Sequence, residues 1–279
     1  MNNYDNTTIY QGLENEFFDD LKNTQRVILC IGQKGSGKTT LFNSYLKKSL
    51  LQKNYDTYHL IIPSYKYEKD GSYNFLENQY NCFIYPSYTE NVSKRVLDDR
   101  AKGNKCLFMI DDASGFDMND ENFKTLVVTS RHGKSKNFTS GGVCIFICLH
   151  SARAIIKPIV RNNCDYIFIF KMNNRKLLES LFEEYFSMVY NKFIDFLNVY
   201  KNAMTQKYNS ILYSNQSPYL DVNVVNWNII EEMLNVNKLP QQGRKREIKR
   251  KDDDEKPKTK LNMSTIRFVR YKPPFRFKN

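Results

Sequence analysis

Unbroken apolar runs, rather than alternating ones, punctuate this chain. Val27–Ile31, Tyr58–Ile62, Cys82–Tyr85, Cys106–Ile110, Val143–Leu149 and Tyr166–Phe170 are all of strand length, and polar stretches separate them. A strand that is apolar at every position is buried on both faces, which is the condition of a parallel sheet covered by helices on either side. The intervening segments fit that reading. Thr39–Lys53 repeats apolar residues at helical spacing, with Leu41, Phe42, Tyr45, Leu46, Leu50 and Leu51 on one stripe. Thr89–Ala101 reads as a polar surface helix with Thr89 at its N-cap, and Asn122–Arg131 as a further helix. Tyr166–Phe170 is the last strand of the set. Beyond it, Asn174–Ala203 predicts one long helix whose aromatics (Phe182, Phe186 and Phe196 among them) form a packed core face. Tyr208–Tyr213 and Val222–Trp227 are too short to assign.

The fold class is therefore α/β, with a mostly parallel central sheet and helices on both faces. At 279 residues the chain suits one main domain with appendages. The pattern divides it into an N-terminal segment over 1–24, a domain over 25–240 and a basic, mobile tail over 241–279. No apolar run reaches the ~20 residues that span a bilayer, and no leader pattern opens the chain, so the expectation is a soluble, cytoplasmic protein.

Charge changes the picture for the tail. Of the formal net +12, the segment Gly243–Asn279 carries +9, from 14 Lys/Arg against 5 Asp/Glu. The domain is close to neutral, and the cations lie where they can neutralise the phosphates of a polyanion. The last stretch, Arg267–Lys278, interleaves Phe268, Tyr271, Phe275 and Phe277 with cations. The six cysteines change little. There is no Cys-x-x-Cys pair, and Cys30, Cys106, Cys144 and Cys148 sit inside apolar runs as small hydrophobes. Cys144 and Cys148 share a strand face, but buried reduced thiols outweigh a disulfide or a metal site.

The chemistry is concentrated after the first strand. Gly32, Gln33, Lys34, Gly35, Ser36, Gly37, Lys38 and Thr39 match G-x-x-x-x-G-K-[ST] in full, between a strand and a helix. The glycines allow successive backbone N–H groups to turn inward around phosphates, and the helix that follows, running on through Thr40, adds its positive end. Lys38 is placed for the β- and γ-phosphates and Thr39 for Mg²⁺, so ATP and Mg²⁺ are the expected cofactors. The run Leu107–Ile110 ends in Asp111 and Asp112. The first is placed to hold the magnesium shell, the second to orient or deprotonate water, which favours hydrolysis over transfer to a small molecule. His150 follows the most apolar strand and is placed either between the γ-phosphate and the attacking water or facing solvent. Arg131 and Arg161 are candidates for a finger reaching a neighbour's nucleotide, or surface charges.

This series resembles the viral genome-packaging ATPases of the FtsK–HerA P-loop superfamily, found in large nucleocytoplasmic DNA viruses and virophages. The resembling stretch runs from Arg26 to Tyr185, and its more specific parts are Arg131-His132 and Ile159–Lys171. That family usually carries Gln where this chain has His150. The resemblance implies a double-stranded DNA translocase that packages a viral genome. It also implies a homo-oligomeric ring with each site completed by a neighbour's arginine, a capsid protein as partner, and a place at the assembly site in the host cytoplasm or in the virion. Two rivals stand beside it: another P-loop ATPase acting on DNA, and a DNA-binding protein switched by nucleotide. A P-loop enzyme that phosphorylates a small molecule would need neither the tail nor Asp112.

Overall fold

A computed structural model describes residues 25–64, 73–76, 79, 81–112, 119–130, 141–150, 158–188, 190–214 and, for the backbone, 223–226. Strands β1 (Val27–Ile31), β2 (Thr57–Ile61), β3 (Cys82–Tyr85), β4 (Cys106–Ile110), β5 (Val143–Leu149) and β6 (Tyr166–Phe170) are parallel. Two more, β7 (Asn209–Ser214) and β8 (Asn223–Asn226), extend the sheet antiparallel, giving the order β3-β2-β4-β5-β1-β6-β7-β8. β6 is thus not the last strand, and the two runs too short to assign from sequence are both strands. An edge strand drawn in by pairing needs little periodicity of its own.

Successive residues of each parallel strand point to opposite faces, so each strand feeds two cores. On one face, Ile28, Cys30, Phe146 and Phe168 pack under helix α1 (Lys38–Gln52) through Leu41, Phe42, Tyr45 and Leu46. On the other, Leu29, Phe108, Ile145 and Ile167 meet helices α2 (Glu90–Ala101) and α3 (Glu121–Thr129), the short α4 (Pro158–Arg161), α5 (Arg175–Leu181) and α6 (Phe193–Ala203). Leu51, assigned to the buried stripe of α1, is instead 42% exposed near the helix end. All six cysteines are buried and free, and Cys144 and Cys148 do share one core. Thr89 occupies the N-cap position of α2, but its side chain makes no capping bond; at α3 the Asp120 carboxylate does, accepting from Asn122 N.

The single helix expected over Asn174–Ala203 is broken. It comprises α5, a π-helical turn at Phe182–Phe186, and then α6. Thirty residues of straight helix would run about 45 Å, more than twice the length of a five-residue strand. The break returns α6 across the sheet, and it stacks Phe196 on Phe186 at 4.8 Å and on Phe182 at 5.8 Å. The aromatic stripe is core, as its spacing indicates.

A polar cluster lies on the α2 side of β2. His59 is fully buried, stacked on Phe83, with Nδ1 3.2 Å from the Tyr85 hydroxyl and Nε2 3.2 Å from an Asp99 oxygen. Burial pushes its pKa down from 6.5 to about 4, against the pull of Asp99 and with the help of Arg95. A depressed histidine costs stability only in acid: above pH 6.5 both states are neutral, and below it the unfolded chain takes up the proton first. Stability should therefore fall by about 2 kcal/mol between pH 7 and pH 5 from this group. Thermal unfolding across that range should show the loss, and His59→Gln should remove most of it.

Candidate active site

The loop between β1 and α1 is fixed at both ends by the sheet. Gly32 N donates to Leu149 O at 3.1 Å and Gln33 N to Lys171 O at 3.0 Å, so the loop starts wedged between the ends of β5 and β6. A Cβ at Gly32 would lie 2.6 Å from the Phe170 Cβ and 2.8 Å from the Ser36 hydroxyl, which leaves room for glycine alone. Gly37 caps α1 at φ 113°, a left-handed conformation that side chains resist.

Lys38 is the first residue of α1 and is 4% exposed. Its Nζ donates to Gly32 O at 2.7 Å and Gln33 O at 2.9 Å, and lies 3.0 Å from His150 Nδ1. An ammonium has donors only, so Nδ1 accepts and the imidazole proton stands on Nε2. Nε2 faces Asp112 Oδ2 at 3.4 Å. Lys38, His150 and Asp112 thus form one chain from the phosphate loop to the second carboxylate. Burial lowers the Lys38 pKa against the pull of the nearby acids, so in this arrangement its charge lacks full solvation.

Asp111 sits at the end of β4, 7% exposed, with both carboxylate oxygens 3.3 Å from Thr39 Oγ1. Tyr73 also donates its hydroxyl to Asp111, at 3.1 Å. Burial raises the Asp111 pKa, and the two hydrogen bonds and Lys38 oppose that rise. Asp112 follows at φ 54°, a left-handed turn that aspartate tolerates and that separates the directions of the two carboxylates. The loop, both acids and His150 line one cleft of about 450 Å³, together with Pro63, Ser64 and Tyr208. It opens at the carboxyl ends of β1, β4 and β5, where ligands bind in open α/β sheets.

The loop residues Lys34, Gly35, Gly37, Lys38, Thr39 and Thr40 line this cleft, along with Asp111, Asp112 and His150. Gln33 and Ser36 do not line it: Gln33 closes the loop through its backbone, and Ser36 is buried. Arg161 is elsewhere, at the end of α4, with its guanidinium donating to Glu184 at 2.9 Å. Arg131 lies outside the described residues. Tyr73, Pro63, Ser64 and Tyr208 were not foreseen. They belong to no spaced motif, and only chain packing brings them in.

A family model for the AAA domain matches residues 21–156. Among solved structures, the chain is similar to the DNA-packaging ATPase B204 of Sulfolobus turreted icosahedral virus, with TM-score 0.50 and 15% identity, over 72% of this chain and 97% of that one. It is similar also to the genome packaging NTPase B204 of Sulfolobus turreted icosahedral virus 2 in complex with AMPPCP, with TM-score 0.50 and 16% identity, over 72% and 96% of the two chains. The same protein in complex with AMP gives TM-score 0.51 at 14% identity, over 73% and 98%. This is the fold of a P-loop ATPase. No curated protein sequence matches the chain. No helix among the described residues of the ATPase is long and apolar enough to cross a membrane.

Proposed function

We propose that this ATPase couples ATP hydrolysis to translocation of double-stranded DNA, as the motor that packages a viral genome into a capsid. The observation that carries the reading is the Lys38–His150–Asp112 chain beside the Thr39–Asp111 pair, within one cleft. The fold shared with the B204 packaging ATPases and the +9 carried by Gly243–Asn279 support the DNA part.

In this reading the ATP phosphates lie in the loop Gly32–Thr39, and Lys38 exchanges the carbonyls of Gly32 and Gln33 for β- and γ-phosphate oxygens. That exchange relieves a buried cation that now has only neutral partners within hydrogen-bond distance. Thr39 and Asp111 suit Mg²⁺: one hydroxyl and one buried carboxylate, side by side, are the oxygen donors a small hard cation takes beside phosphates and water. When bound, the ion would neutralise charge on the β- and γ-oxygens.

Asp112 accepts the proton of the attacking water as its oxygen bonds to the γ-phosphorus and the bond to ADP breaks. His150, released from Lys38, holds the water or the γ-phosphate from the other side. The subunits form a homo-oligomeric ring, and Arg131 or Arg161 reaches a neighbour's site; Arg161 would have to leave Glu184 to do so. DNA passes through the ring, held by its phosphates and by the tail over 241–279, which is separate from the catalytic domain over 25–240. A capsid protein receives the motor, at the assembly site in the host cytoplasm or in the virion.

The test is ATP hydrolysis with and without linear duplex DNA. A several-fold rise in turnover on adding DNA, absent when mononucleotides replace it, is the expected result. Hydrolysis indifferent to DNA would remove the translocase reading and leave only the ATPase.

A further inference from the structure

The cleft that Lys38, Asp111, Asp112 and His150 line is lined as well by Gly37, Thr40 and Tyr208. Tyr208 stands in the turn between α6 and β7 at φ 67°, a left-handed conformation uncommon for an aromatic residue. The turn is held in place by Asn209, which is 6% exposed and donates from its side-chain amide to Ala203 O at 2.8 Å. The ring sits against the phosphate loop. A Cβ added at Gly37 would lie 3.0 Å from the Tyr208 Cδ1 and 3.2 Å from its Cβ. The ring is only half-buried, and the Lys207 ammonium lies 4.8 Å from its centroid. A strained backbone thus holds an aromatic surface, with a cation beside it, at the mouth of a phosphate site.

We propose that Tyr208 is the platform for the base of the bound nucleotide, a specificity-determining residue supplied by the turn that leads into β7. The inference rests on the cleft being the nucleotide site. With the γ-phosphate at Lys38 and Asp112, the nucleoside lies toward Gly37 and Thr40, where Tyr208 supplies an aromatic ring among the described residues that line the cleft. A ring stacks on the flat face of a base without reading its edge, so the platform should favour nucleotides over bare phosphates and purines over pyrimidines by stacking area.

Binding of ATP and of inorganic tripolyphosphate, each with Mg²⁺, to the full-length chain tests this. The native chain should bind ATP more tightly than tripolyphosphate. Tyr208→Ala should weaken ATP by roughly 5- to 100-fold and leave tripolyphosphate unchanged, while Tyr208→Phe should keep ATP affinity within about twofold. Equal weakening of both ligands by Tyr208→Ala would mean that the ring only props the loop; no weakening of either would mean that it does neither. Both outcomes overturn the proposal. A native chain that binds neither ligand would instead overturn the nucleotide-site reading beneath it. In a Trp227→Phe background, Tyr208→Trp gives a direct signal: indole emission should change with ATP and stay flat with tripolyphosphate.

Discussion

Replacing Asp112 by Asn should lower ATP turnover by about two to four orders of magnitude while nucleotide affinity stays close to native. The size follows from what is removed. The substitution keeps volume and turn, and Asn tolerates the left-handed backbone that Asp112 adopts at φ 54°. Only the proton acceptor is lost. Asp112 is 42% exposed in its side chain, so the amide that replaces it stays in reach of water and the fold should persist. Lys38→Ala behaves differently. It removes the cation that bonds Gly32 O, Gln33 O and His150, so affinity and turnover fall together. The pair of variants separates binding from chemistry: equilibrium binding of ATP and single-turnover hydrolysis are measured on each. An Asp112→Asn chain that hydrolyses ATP at the native rate would take the base away from Asp112 and leave His150 as the remaining candidate in the cleft.

Truncation after Gln242 should produce the other large effect, on DNA rather than on ATP. It removes 14 of the chain's 42 Lys/Arg and +9 of its +12. Each phosphate neutralised by a cation adds about 0.9 to the slope of log affinity against log salt, so loss of even five contacts flattens that slope by about 4.5. Between 50 and 200 mM salt this is a difference of two to three decades in how fast affinity falls. The acidic block Asp252–Glu255 divides the tail and would shield its first basic cluster when DNA is absent. Basal hydrolysis should stay near native, because the described residues that line the cleft all precede Gln242. DNA affinity measured against salt for both lengths decides the matter. Equal slopes would mean that the tail does not hold DNA, and that its aromatics instead dock on a protein.

Much of the candidate site is readable in one dimension because it is local. The phosphate loop works through consecutive backbone N–H groups, so its torsional demands fall on neighbouring residues and appear as spaced glycines. The carboxylate pair is legible for a similar reason: a fully apolar strand such as Cys106–Ile110 delivers its next residues to the sheet's carboxyl edge. His150 is found by the same logic at the end of β5. The parallel core is legible too, since burial on both faces writes an unbroken apolar run.

What the sequence by itself determined, then, is the α/β class, the six parallel strands, and which loop, acidic and strand-end residues gather in one cleft. Tertiary structure alone decided the rest. It broke the helix expected over Asn174–Ala203, because the aromatic faces of α5, the π turn and α6 had to meet one sheet rather than run past it. It added β7 and β8 antiparallel, since an exposed edge of β6 pairs with any adjacent chain of adequate length. It joined His150 to both Lys38 and Asp112, and brought Tyr73 to Asp111 and Tyr208 to Gly37. These contacts span up to 171 residues of chain, from Gly37 to Tyr208, and impose no periodicity on it. A loop's torsions constrain its own neighbours, whereas a side chain arriving from a distant turn need only be the right shape when the sheet has closed.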